Sequence, residues 1–200
     1  MLHHIIIFFF MFSGCALPKK RLFVKNKTYL EYTEEYKSCT GRGVLDSKGE
    51  LKGKLLFSFK SQRDSTFLEF ADILGRKSLL IWITPSSITA RNLMENKQYN
   101  QEDIINIFPL LTILKPSDMT KMFWGVEPEY KKNLKDLPRT ITKNIELSFD
   151  KKRSNYNGKT IGGVEFYNRQ TMESVLIDFK SRKMNVEDIN MKKFWRLLNY

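Results

Sequence analysis

Leu55-Leu56-Phe57-Ser58-Phe59 (residues 55–59) sets Leu55, Phe57 and Phe59 two positions apart. Side chains two apart share one face of a strand, so this stretch reads as a strand with one apolar side. The same period returns in Ile145/Leu147/Phe149, Val164/Phe166 and Val175/Ile177/Phe179. These sets predict a curved antiparallel sheet with one greasy face, and hence a mainly β protein. Asp46-Ser47-Lys48-Gly49, Asn96-Lys97 and Asn155-Tyr156-Asn157-Gly158 mark turns between strands. Leu79-Leu80-Ile81-Trp82-Ile83 is apolar at every position, so the sheet needs a cover on both sides there. There is no internal repeat.

Outward from the strands the period changes. Tyr29, Leu30, Tyr32, Thr33 and Tyr36 fall at helical spacing and predict a short amphipathic helix within residues 28–37. Asn100 with Asp103 three residues on has the form of a capping box, and Ile104, Ile107, Phe108, Leu111 and Leu114 then form a helical stripe. Pro109 should bend or break that helix near its middle, because its ring removes an amide donor and crowds the preceding turn. A second helix is expected from Ser117, burying Met119, Met122 and Phe123 and stopping at Gly125. The two helices would cap the open side of the sheet as a lid. Such stripes complete a solid core as readily as they line a cavity. Methionine and phenylalanine concentrated on a lid suit a ligand of variable shape, because the side chains are soft and adaptable.

The N-terminus reads as an export signal. An apolar run from Ile5 to Phe12 is followed by Ser13-Gly14 and then Cys15. The run is far shorter than the roughly 20 residues that span a bilayer, so residues 1–14 form a signal peptide and not a permanent anchor. Phe12-Ser13-Gly14-Cys15 resembles the bacterial lipobox, with Phe12 in place of the usual leucine and with His3 and His4 where lysine or arginine is usual. The expected product is lipidated on Cys15, and residues 16–27 form a basic tether between lipid and fold. Ala16, instead of an aspartate, follows the cysteine, which by analogy with lipoprotein sorting in enterobacteria favours the outer membrane.

Composition narrows the function classes. Residues 1–14 hold no Lys, Arg, Asp or Glu, so the net charge of +12 belongs to the remainder. With 42% hydrophobic and 13% aromatic residues the chain can bury a core and is not disordered. For an exported lipoprotein the nearest acidic partner is the anionic lipid surface, so no nucleic-acid partner is expected. Lipidation of Cys15 leaves only Cys39, which excludes an intramolecular disulfide. Cys39 reads as a small buried thiol at a strand start. Both histidines lie in the signal, so the mature chain has no imidazole for a triad, a general base or a zinc site. Carboxylate pairs such as Glu34/Glu35 and Glu102/Asp103 read as helix surface. No enzyme activity, metal or cofactor is expected.

Four short motifs carry a family resemblance by their order: Gly41-Arg42-Gly43, Asp72-Ile73-Leu74-Gly75-Arg76, Gln98-Tyr99 with Glu102-Asp103, and Trp124-Gly125-Val126-Glu127-Pro128. In that order they resemble the LolB family of outer-membrane lipoprotein receptors, over residues 39–128. The resemblance implies an unclosed antiparallel β-barrel with a helical lid around a hydrophobic cavity, formed by residues 28–200. It further implies that acyl chains of lipoproteins bind in this cavity. Leu55, Phe57, Phe59, Phe67 and Leu80 are the expected lining from the strands, and Ile104, Ile107, Phe108, Leu111, Met119 and Met122 from the lid.

In that family a leucine in a Pro-Leu-Gly turn protrudes and helps pass lipoproteins into the membrane. Ile73-Leu74-Gly75 occupies the place, with Ile73 where the family has proline, so the resemblance makes Leu74 the insertion tip. The alternative is a hairpin leucine folded back onto the core. Trp124 stands directly beside Gly125, where the family has Trp-x-x-Gly. The function so implied is that of a monomeric outer-membrane lipoprotein on the periplasmic face. It would accept acylated lipoproteins from a LolA-like periplasmic carrier and insert them into the membrane, in contact with anionic membrane lipids. The alternative reading is a tethered lipid- or glycolipid-binding or interaction lipoprotein with no transfer role.

Overall fold

The computed structural model describes residues 25–199 other than 50, 51, 108 and 157, with side-chain detail for all of these but 106, 107, 109, 140 and 141. Cys15 and the signal lie outside the described residues.

Two glycines set the construction of the sheet. On β1 (Ser38–Lys48), Gly41 and Gly43 stand opposite Phe59 and Phe57 of β2 (Gly53–Gln62). A Cβ at either glycine would run into the facing ring and into a carbonyl of the strand on the other side, Ser181 or Asp178. The absent side chains let both rings lie across β1. There they meet Phe179 edge-on, with ring centroids 5.9 Å and 6.2 Å away. Edge-to-face rings at this spacing add to the area that they bury.

From this centre the sheet grows both ways. On one side follow β3 (Ser65–Ala71), β4 (Lys77–Ile83), β5 (Ile88–Asn92) and β6 (Lys97–Tyr99); on the other β9 (Glu173–Asn185), β8 (Lys159–Asn168) and β7 (Ile145–Arg153). All neighbours are antiparallel, and register shifts at Arg42/Gly43, Phe70/Ala71 and Asp150/Lys151 bend the strands. The end strands β6 and β7 do not pair, so the nine-stranded barrel is unclosed. α1 (Tyr29–Glu35) precedes it, started by Thr28 and Glu31 in a reciprocal capping box.

Residues 100–144 leave β6 and return as β7. They carry α2 (Gln101–Ile107), a 3-10 turn (Pro109–Thr112), α3 (Pro116–Phe123), α4 (Lys131–Lys135) and α5 (Arg139–Thr142). This connection covers the apolar face, where Phe57, Phe59, Leu68, Phe70, Ile81 and Ile83 are buried with Phe123, Phe166, Ile177 and Phe179.

The opposite face has a cover of its own. α6 (Met191–Leu198), started by the Asn190 side chain, lays Met191, Phe194 and Leu198 on Phe67, Leu80 and Trp82. Phe194 stacks on Phe67 with centroids 5.0 Å apart, and Trp195 meets Trp82 edge-on at 5.6 Å. Residues 80–83 of β4, all apolar, are thus buried on both sides. Among the described residues no helix is long and apolar enough to cross a membrane.

Gly41→Ala and Gly43→Ala should each destabilise the fold by about 1–3 kcal/mol, the usual cost of overpacking a filled core. Equilibrium urea unfolding checks this. Gly53→Ala, where a Cβ meets nothing within 4 Å, is the control and should change little.

Candidate functional site

The lid begins at Asn100. Its side chain accepts the Asp103 amide at 3.0 Å, and the Asp103 carboxylate accepts the Asn100 amide at 3.1 Å, which starts α2 and turns Ile104 inward. Pro109 then opens the 3-10 turn, so the helical stripe is broken where proline stands. α3 starts with Pro116 at its first position, earlier by one residue than Ser117. It ends at Gly125 in the left-handed region, φ +86°, with Gly125 N–H bonded to Met122 O and Val126 N–H to Lys121 O. That pairing is a Schellman end.

Two carbonyls of this end are taken by Arg182 of β9. Its Nε donates to Phe123 O at 2.8 Å and its two terminal nitrogens to Met122 O at 3.2 Å and Ile161 O at 2.9 Å. Arg182 forms no ion pair with a carboxylate among the described residues; its charge faces the negative end of the α3 dipole and the Phe179 ring at 4.7 Å. Burial lowers the Arg182 pKa, and the guanidinium stays a cation at neutral pH. The Cys39 thiol, fully buried beside Phe123 O, is pushed up to about 12 by desolvation and is therefore no nucleophile.

A chain of hydroxyls holds the same helix from its other side. Trp124 Nε1 donates to Ser61 Oγ at 2.8 Å, Ser61 and Thr66 share a bond of 2.8 Å, and Thr66 donates to Thr120 Oγ1 at 3.3 Å. Trp124 thus closes the end of α3 as a fully buried wedge against Tyr29. α3 is the fixed half of the lid. The α2 and 3-10 half rests on the sheet through apolar side chains, with Asn133 donating to Ile113 O at 3.0 Å behind it.

Between lid and sheet lies an apolar void of about 40 Å³. Phe57, Ile104, Leu111 and Met119 line it, together with Leu45, Leu68, Phe70, Ile81, Ile83, Ile88, Leu110, Phe123, Val175 and Ile177. Leu55, Phe59 and Met122 pack in the same core but not on the void. The Ile107 side chain and Phe108 lie outside the described residues.

Phe67 and Leu80 are a correction. The two-residue turn Arg63-Asp64 pairs Phe59 with Leu68 and Lys60 with Phe67, so Leu68 and Phe70 face inward while Phe67 and Leu80 face α6. A one-residue change of register moves a whole strand's apolar set to the other side. Drug-sized ligands occupy roughly 300–1,000 Å³. The void is a small fraction of that, so the space between these helices and the sheet is nearly filled.

The β3–β4 turn points the other way. Ile73 and Leu74 are each 74% exposed, so Leu74 is not folded back onto the core. Asp72 does here what a proline would do by fixing φ: its carboxylate accepts the amides of Leu74 and Arg76 at 2.9 Å each and Arg76 Nε at 2.6 Å, and Gly75 takes φ +81°. Hydrogen bonds from the Arg76 backbone and side chain hold the Asp72 pKa below its usual range.

No protein-family model matches the chain, and no curated protein matches it in sequence. Among solved structures it is similar to a domain described as outer membrane lipoprotein-sorting from Vibrio parahaemolyticus, at a TM-score of 0.48 and 9% identity, over 86% of this chain and 96% of that one. It is also similar to a LolA superfamily protein from Nitrosomonas europaea, at a TM-score of 0.35 and 8% identity, over 84% of this chain and 98% of that one.

Two outcomes are expected. Arg182→Met should cost about 2–3 kcal/mol, since it removes charge-assisted bonds and strands buried carbonyls, and should speed amide exchange at Trp124 and Gly125 more than at the β3–β4 turn. A depressed folded-state pKa means that the Asp72 cage is complete above the ordinary carboxylate range and is lost as pH falls through the lowered value. Amide nitrogen relaxation should therefore show the Ile73-Leu74 tip ordered at neutral pH and loosening only in strong acid, with Asp72→Ala loose at every pH.

Proposed function

We propose that this chain is a membrane-anchored acyl-chain carrier of the LolB type. It is lipidated on Cys15 and held at the periplasmic face of the outer membrane. It takes acylated lipoproteins from a soluble LolA-like carrier and delivers them to the bilayer at the Leu74 turn. The observation that carries this reading is a void walled by apolar side chains alone, contributed by both sheet and lid, in an unclosed barrel. The order of the sequence motifs and the exposed Ile73-Leu74 tip support it.

The physics of such a carrier needs no covalent step. Each methylene removed from water is worth about 0.8 kcal/mol, so an acyl chain passes from one apolar site to a better one, with the bilayer as the final sink. The lid would open on the α2 side, because Arg182 and the hydroxyl chain hold α3. Ile104, Leu110 and Leu111 would then exchange contacts with the sheet for contacts with the acyl chain, which keeps the cost of opening low.

The small void favours a second reading, a solid-core interaction lipoprotein with no transfer role. Lipid identification separates the two: the chain carrying Cys15→Ser, purified without detergent exchange, should hold lipid or lipoprotein detectable by mass spectrometry and should take up a fluorescent fatty acid. Failure of both would favour the solid core. Leu74→Glu tests delivery. Normal capture from carrier with poor delivery to liposomes is the expected result, equal loss of both would mark misfolding, and unimpaired delivery would exclude Leu74 as the tip.

A further inference from the structure

The hairpins turn at two ends of the sheet, and the two ends differ in chemistry. At one end lie the turns β1–β2, β3–β4, β5–β6 and β8–β9, as the pairs Ser47↔Gly53, Ala71↔Lys77, Asn92↔Lys97 and Asn168↔Glu173 place them. Leu79↔Asn92 and Lys48↔Ser174 join these hairpins side by side. Three of the turns present large apolar side chains to solvent: Ile73 and Leu74 at 74% each, Met94 at 71% and Met172 at 67% exposure. Leu56 and Leu176 continue the exposed apolar surface a short way along the outer sides of β2 and β9. The turns at the other end, β2–β3, β4–β5 and β7–β8, show no such side chain among the described residues; the large apolar side chains exposed at that end, Leu30 of α1 and Val186 just past β9, lie outside the hairpin turns.

Two further observations mark the apolar end as built for contact. Met172 sits in the left-handed region at φ 56°, which a glycine would occupy without strain and a long side chain does not favour. Strain held at an exposed position is a reason to look for a role of the side chain it carries. The same turns also carry exposed Lys48, Lys52, Lys54, Arg76, Lys77 and Lys97 beside the carboxylates Asp46, Glu69, Asp72, Glu95 and Glu173; Arg76 and Lys77 are ion-paired to Asp72 and Glu69, which leaves Lys48, Lys52, Lys54 and Lys97 as the cations offered to a partner.

We propose that this whole hairpin edge is a bilayer-docking surface, in which Met94 and Met172 enter the headgroup layer beside Leu74 and the surrounding lysines meet anionic lipid. It deepens the delivery reading above and rests on that reading for the membrane as partner, but assigns contact to two turns, those of Met94 and Met172, to which the family resemblance gives no role. Neighbouring turns lie two strands apart, roughly 10 Å along the edge. Contacts at Met94, Leu74 and Met172, the last four strands from Leu74, are spread along the edge, so docking restricts the tilt of that edge to the membrane. A single tip would leave that tilt free.

The test uses the full chain with Cys15→Ser, so that lipid on that residue cannot hold it to vesicles and Cys39, being buried, is the sole remaining thiol. Single cysteines are placed at Leu74→Cys, Met94→Cys, Met172→Cys and, at the opposite end, Ser86→Cys, and labelled with an environment-sensitive dye. On phosphatidylethanolamine vesicles containing phosphatidylglycerol, the dye at 74, 94 and 172 should move to an apolar environment and the dye at 86 should not. Met94→Asn with Met172→Asn should weaken vesicle binding by roughly ten-fold or more and leave the melting temperature unchanged or raised, since asparagine accepts the left-handed region. A change at 74 alone would overturn the edge proposal and leave the single-turn delivery reading standing. No change at any tip, with fatty-acid capture intact, would overturn docking and leave the cavity reading. An equal change at 86 would show that no edge is preferred and would also overturn it.

Discussion

The rings of Phe57 and Phe59 lying over two positions without side chains are the constraint on which the remaining architecture depends. Because Gly41 and Gly43 leave the rings room, β2 and β9 communicate across β1 through Phe179. Phe123 of the lid closes on the same group, 5.0 Å from Phe59 and 5.7 Å from Phe179. One aromatic cluster therefore joins three strands to the covering helix. The two halves of the sheet, distant in sequence, are registered by it.

That cluster also divides the lid into parts of different character. Near it, α3 is tied by polar bonds to Arg182, Ser61 and Thr66, which have fixed geometry and cost free energy when broken. Farther along, α2 and the 3-10 turn are held by apolar contact, which is non-directional and can be replaced by any other apolar surface. A segment held this way can exchange one set of neighbours for another at little net cost. The small void does not conflict with the proposed capture of acyl chains for this reason.

Much of the fold was legible from the chain because period-two apolar sets survive without tertiary information. The sets Leu55/Phe57/Phe59 and Val175/Ile177/Phe179 lie on strands facing the core, and the capping box at Asn100 and the break at Pro109 stand where local chemistry puts them. The site was only partly legible. Phe67 and Leu80 were misplaced because β3 and β4 are apolar on both faces, and only the pairing across Arg63-Asp64 tells the faces apart. The cover that makes the second face apolar, α6, comes from the last residues of the chain, whose short amphipathic pattern is visible only once its partner surface is known. Arg182 gave no signal at all: a basic residue in a strand reads as solvent-facing, and its partners are main-chain carbonyls brought near by the fold. Asp72 could have been found, since an aspartate two residues before a turn position commonly bonds the backbone beyond it.

An unclosed barrel keeps two free edges, and free edges invite other strands. β6 is only three residues long, and β7 carries Asp150, Lys151, Lys152 and Arg153 along its second half, exposed and charged. Short or charged edges resist the strand-to-strand addition that leads to fibres. The protein can thus leave its sheet open without becoming a template for its own aggregation.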